Sequence, residues 1–80
     1  MELLKASEKK VVGTRQVLRA LKSGGLQRVY VADDADTFLF QQVIRAAEAA
    51  RVPAVRVASM KELGQACGVE VAAAAAGIPV

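Results

Sequence analysis

The segment from Arg28 to Ala58 limits the possible folds more than any other part of this chain. Arg28-Val29-Tyr30-Val31-Ala32 is short, β-branched and aromatic, and it stops at Asp33-Asp34, which predicts a buried strand. Leu39, Val43, Ala47 and Ala50 then recur at steps of four and three, with Ile44 widening the stripe. That is the period of an amphipathic helix, one that Asp36 or Thr37 can cap and whose Arg45, Glu48 and Arg51 face outward. Pro53 breaks the helix, and Ala54-Val55-Arg56-Val57-Ala58 alternates around valine as another strand. Strands that alternate with helices bury their sheet between helical layers, so the expected class is α/β: a three-layer α/β/α sandwich around a small four-stranded mixed sheet.

The flanking segments fill in that plan. Leu3, Leu4 and Ser7 to Lys10 suggest a short first helix ending before Val11-Val12, a pair too brief for more than an edge strand. A second helix runs from about Thr14 to Lys22, where Ser23-Gly24-Gly25 stops it and Lys22 meets the negative end of the dipole. Ser59-Met60-Lys61-Glu62 has the capping-box pattern for a fourth helix that runs to about Cys67 and ends at Gly68, with Gly64 a close-packing position. In the tail, local rules conflict. Five alanines favour a helix, whereas Val69, Val71 and Ile78 favour a strand. A strand over about Val71 to Ala75 is expected, because the sheet needs one more member and small residues suit a strand packed between helices.

Composition narrows the chemistry. Eighty residues make one domain, 54% of them hydrophobic, with no apolar run long enough to span a membrane and no signal-peptide pattern at Met1 to Lys10, so a cytoplasmic location is expected. There is no histidine, and Cys67 is the only cysteine. Zinc sites, Ser/His/Asp and Cys/His arrangements and internal disulfides therefore lack their residues; neither an enzyme nor a cofactor is expected, and Cys67 reads as a small buried hydrophobe. Charge is uneven. Residues 5 to 28 carry seven lysines and arginines against Glu8 alone, the footprint of a polyanion partner.

Within that basic third, Val12-Gly13-Thr14-Arg15-Gln16-Val17-Leu18-Arg19 passes from an apolar pair through glycine into a helix with a polar, cationic first turn. Unpaired N–H groups and the positive dipole end favour phosphate there, and Arg15, Arg19 and Lys22 stack along one helical face. A solvated amphipathic helix has the same pattern. The junction at Gly13, the turn from Ala32 to Phe40 and the turn from Val57 to Met60 each join a strand end to a helix start, and such junctions gather at one edge of α/β sheets. Helix N-termini, a basic stripe and apolar groups on one edge suit RNA with an unstacked base.

In these residues the chain resembles the kink-turn-binding ribosomal protein family, the L-seven-Ae group, and most closely its small bacterial branch. Gly13 to Arg19 match a Gly-x-Asn-Glu-x-x-Lys motif opening the second helix, Ala32-Asp33-Asp34-Ala35-Asp36 the acidic turn, and Lys61 to Gly68 the leucine-glycine helix. The resemblance implies recognition of sheared G·A pairs and a flipped-out nucleotide in ribosomal or regulatory RNA, by a non-enzymatic protein acting as a monomer. By the same resemblance Gly13 and Thr14 open the contact segment, Arg15 and Gln16 reach base edges, and Arg19 contacts a guanine or phosphate. Asp36 reads the extruded base, Phe40 packs against it, and Val57, Ala58, Ser59 and Met60 close over it. Arg15 stands where the family has asparagine, Gln16 where it has glutamate and Thr37 where it has proline. Two other readings use the same residues. Val29 to Asp34 superficially resemble the strand and acidic pair of a phosphoacceptor receiver domain, for which the chain is too short, and the basic face also suits a protein-interaction module that meets an acidic partner.

Overall fold

A computed structural model describes residues 1–80. In chain order the elements are α1 (Glu2–Ala6), β1 (Val11–Val12), α2 (Thr14–Lys22), β2 (Leu26–Ala32), α3 (Thr37–Ala49), β3 (Ala54–Val57), α4 (Met60–Cys67) and β4 (Ala75–Pro79). The sheet order is β1-β4-β2-β3. β4 lies antiparallel to both β1 and β2, and β2 runs parallel to β3, so the sheet is mixed as expected.

Alternation along β2 sends its side chains into two separate cores. Val29 and Val31 pack with Val17 and Leu21 of α2 and with Val43 and Ala47 of α3. Tyr30 and Ala32 pack on the opposite face with Leu4 of α1 and with Leu63, Ala66 and Cys67 of α4. The three layers follow from this division: α2 and α3 on one side of the sheet, α1 and α4 on the other. No polar side chain is buried. Burial pushes the Cys67 thiol pKa up, with Lys10 opposing weakly. The thiol therefore stays protonated at neutral pH, and an alkylating reagent should modify it far more slowly in the folded protein than in denaturant, as mass spectrometry would show.

Two elements differ from the sequence expectation. The first helix ends at Ala6 rather than running towards Lys10: Ser7 is extended, and its Oγ donates to the Leu3 carbonyl at 2.7 Å. Residues 7–10 are spent instead on crossing from the helix layer to the sheet. The last strand begins at Ala75, not Val71. As an inner strand, β4 must satisfy its backbone on both sides. Only residues 75–79 lie opposite Val11–Val12 and the Leu26–Val31 stretch. The close-packing argument for small residues holds at that shifted position, since Ala75 and Ala76 are fully buried between the helical layers. Gly77 is part of the same fit, because a β-carbon there would come within 2.6 Å of Leu26 Cδ1.

Candidate nucleic-acid interface

Strand direction brings the three junctions together. β1, β2 and β3 all end at the sheet edge where β4 begins, with Val12 opposite Ala76, Val31 opposite Ala75 and Ala32 opposite Val57. Backbone hydrogen bonds tie the junctions to one another. Gly13 N–H donates to the Ala75 carbonyl at 2.9 Å, Ala32 N–H to Ala74 at 2.9 Å, and Asp33 N–H to Val57 at 2.7 Å. The alanine run therefore threads between the loops, where side chains without γ atoms let the backbones approach.

The three helix starts on this edge are not alike. α3 is capped by Asp36, whose Oδ1 accepts from Phe38 N–H at 2.9 Å and Leu39 N–H at 3.2 Å. α4 is capped twice: Ser59 Oγ accepts from Glu62 N–H at 3.1 Å, and Asp34 Oδ1 accepts from Met60 N–H at 2.7 Å. α2 has neither a side-chain cap nor an acidic residue in its first turn. Its N-terminus is thus the one whose first-turn N–H groups meet no side-chain acceptor at all, with uncompensated positive dipole character. Arg15, Gln16, Arg19 and Lys22 are exposed along this helix, and Thr14 is half-buried. Gly13, the N-cap, has φ 105° and ψ 145°, a conformation open essentially to glycine, and Gln16 Oε1 lies 3.0 Å from where a β-carbon on Gly13 would stand.

The acidic turn spends its carboxylates internally. Asp33 pairs with Arg56, Asp34 holds the start of α4, and Asp36 holds the start of α3 through one oxygen, which leaves Oδ2 for another donor. A polyanion at this edge therefore meets three engaged carboxylates rather than free ones. Phe40 is half-buried against the α2/α3 core, and Arg56 Cζ lies 5.5 Å from its ring centroid. Along the Val57 to Met60 turn, Ala58 is exposed while Ser59 and Met60 are half-buried. The Val57 side chain is only 6% exposed, and its carbonyl is bonded to Asp33, so this residue presents little to the solvent side.

Three residues at this edge were not singled out as candidate contacts from the sequence. Phe38 is 68% exposed, in the first turn of α3. Its place was legible in principle, because two residues along a helix is 200°, which sets Phe38 and Phe40 on opposite faces once Asp36 is the cap. Val71 is 72% exposed on the loop that Ala73 N–H fastens to the Met60 carbonyl at 3.0 Å. Nothing in the sequence marks Val71, since its exposure follows from the late start of β4. Arg56 is the third, and its partners become visible only when β3 lies beside β2.

Comparison with known proteins agrees with this architecture. The sequence pattern of the ribosomal protein L7Ae/L30e/S12e/Gadd45 family matches residues 1–80. The chain is 51% identical over 70 residues to an RNA-binding protein of a Geobacillus species, covering 88% of this chain and 85% of that protein. It is 50% identical over 68 residues to the RNA-binding protein YbxF of Geobacillus stearothermophilus, covering 85% and 83% of the two chains. Among solved structures it superposes on a 15.5 kD RNA-binding protein of Giardia lamblia with a TM-score of 0.87 and 29% identity, covering 98% of this chain and 68% of that one.

Proposed function

Since this chain belongs to the ribosomal protein L7Ae/L30e/S12e/Gadd45 family, we propose that it is a non-enzymatic RNA-binding protein that recognises kink-turns, in ribosomal or regulatory RNA, through the edge where its strands end. The observation that carries this reading is the uncapped start of α2, which combines first-turn N–H donors with Arg15, Gln16 and Arg19 beside two helix starts already closed by their own side chains. Several relatives are RNA-binding proteins by name, and the basic N-terminal third fits the same partner.

In this reading phosphate settles at the α2 N-terminus, Gly13 and Thr14 let the RNA backbone come close, and Arg15 and Gln16 address the edges of the sheared G·A pairs. Arg19 takes a guanine or a phosphate one turn further on. A bidentate arginine–guanine contact is worth about 1–3 kcal/mol. The free Oδ2 of Asp36 accepts from the extruded base. Half-buried Phe40 packs against that base, and Ala58, Met60 and Val71 form an apolar rim beside Ser59. No helix is long and apolar enough to cross a membrane, and the protein is taken to act as a monomer in the cytoplasm.

Titration at near-physiological salt into a kink-turn RNA, and into a control with its G·A pairs changed to Watson–Crick pairs, tests the reading. Salt matters because basic proteins bind any RNA when it is low. Tight binding to the first RNA alone is expected; equal binding to both would remove the kink-turn from the function. In the same assay Arg19→Ala should weaken binding roughly tenfold, in line with loss of one charged contact. Arg45→Ala, exposed on α3, should leave binding close to wild type, and equal losses would place the RNA on a different face.

A further inference from the structure

Arg56 lies on the edge strand β3, one residue before the junction, with its side chain 68% exposed, and yet two elements hold it. Its Nε donates to Asp33 Oδ1 at 2.7 Å at the end of β2, and its Cζ lies over the Phe40 ring in the first turns of α3. An exposed ion pair contributes little to stability, and a solvent-facing arginine otherwise keeps its rotamer freedom. What these contacts do is restrict where the guanidinium sits, between the Asp33 carboxylate and the Phe40 ring. Nε is occupied, the two Nη groups make no hydrogen bond within the protein, and the side chain as a whole stays 68% exposed.

We propose that Arg56 is a stacking shelf for an unpaired nucleobase of the bound RNA, with Asp33 and Phe40 as the residues that position it. The proposal rests on the RNA-binding reading of this edge and adds a contact to it. A base fits better than a phosphate, for an electrostatic reason. Asp33 already balances the guanidinium charge, and Asp34 and Asp36 in the same turn repel a second anion, whereas stacking on a planar cation needs no net charge. Phe38, 68% exposed, lies on the opposite face of α3 from Phe40 and forms no part of the shelf.

The test is fluorescence of 2-aminopurine placed in turn at each unpaired position of a kink-turn RNA and, separately, within a single-stranded oligonucleotide. The wild-type protein should quench one position severalfold. Arg56→Lys keeps the charge but not the plane; it should remove most of that quenching and weaken binding about five- to tenfold, and Asp33→Asn should act in the same direction by freeing the side chain. Thermal melting of both variants should match the wild type, since neither side chain is buried. Quenching and affinity unchanged in Arg56→Lys would overturn the shelf and leave Arg56 as a point charge. If the protein shows no preference for the kink-turn RNA but Arg56-dependent quenching persists in the single strand, the kink-turn reading fails and the shelf stands. If quenching depends on Arg56 in neither RNA, the shelf fails whichever RNA is preferred.

Discussion

Gly64→Ala is expected to lower the melting temperature by on the order of 10 °C, a larger loss than at any other glycine substituted by alanine in α4 or its cap. Alanine in a helix interior is ordinarily favourable by about 1 kcal/mol over glycine, so a naive reading predicts stabilisation. The tertiary fit reverses the sign. Gly64 is buried against the loop leading to β4, and a β-carbon would fall inside the van der Waals envelope of the Val71 carbonyl oxygen and come to 3.2 Å from Ala72 Cα. Those are backbone atoms, held by Val69 N–H on the Gly64 carbonyl at 3.1 Å and by Ala73 N–H on the Met60 carbonyl at 3.0 Å, so they cannot step aside as a side-chain tip would. Overpacking of this kind costs typically 1–3 kcal/mol and occasionally more, and we expect about 2 kcal/mol net of the helix gain. A domain this small shifts by roughly 4–8 °C per kcal/mol. Gly68→Ala gives the contrast. That glycine caps α4 at φ 75° with nothing within 4 Å of an added β-carbon, so only the left-handed penalty of about 1 kcal/mol applies. Thermal denaturation of the two variants should rank Gly64→Ala as the less stable; the reverse order would mean the loop yields.

Gly13→Val should destabilise the fold by about 2 kcal/mol and, in whatever fraction stays folded, reduce the proposed kink-turn binding more than Arg19→Ala does. At φ 105° and ψ 145° a β-branched residue is strongly disfavoured. The backbone cannot relax locally, because the Gly13 N–H is committed to the Ala75 carbonyl and its own carbonyl accepts from Val17 N–H, both at 2.9 Å. The strain is expected to be relieved by unwinding the first turn of α2, which moves Arg15 and Gln16. The added side chain also occupies the space where Gln16 Oε1 now lies, on the approach proposed for the RNA backbone. Denaturant melts combined with the RNA titration separate the two effects. A variant as stable as wild type that binds as tightly would show that the glycine is not required by the turn, and would remove it from the interface.

Helix α2 was legible from Thr14 to Lys22 because its limits are written locally, in Gly13 at one end and Ser23-Gly24-Gly25 at the other. The Asp36 cap, the Ser59 cap and Gly68 at the end of α4 were legible for the same reason: each acts within one turn of its own residue. The end of α1 and the start of β4 were not. Ser7 to Lys10 has no strong signal of its own, and in the alanine run helix and strand preferences nearly cancel, so partners distant in sequence decide. At the candidate site, the basic stripe and Gly13 were visible as pattern. Phe38, Val71 and Arg56 were not, because exposure and pairing depend on which elements lie alongside.

The sequence by itself determined the α/β class, the number and order of the helices and strands, and the concentration of positive charge in the first third, since periodicity, caps and composition are properties of neighbouring residues. Only the tertiary structure decided which helix start is open. Asp34 lies 26 residues from the Met60 N–H that it caps, and Asp33 lies 23 residues from the arginine that it orients. Those partners meet because β2 and β3 pair in parallel with Ala32 opposite Val57, a register set by burying both faces of the sheet. Burial chooses the register, the register engages the acidic turn, and the first turn of α2 is left as the uncapped cationic helix start on that edge.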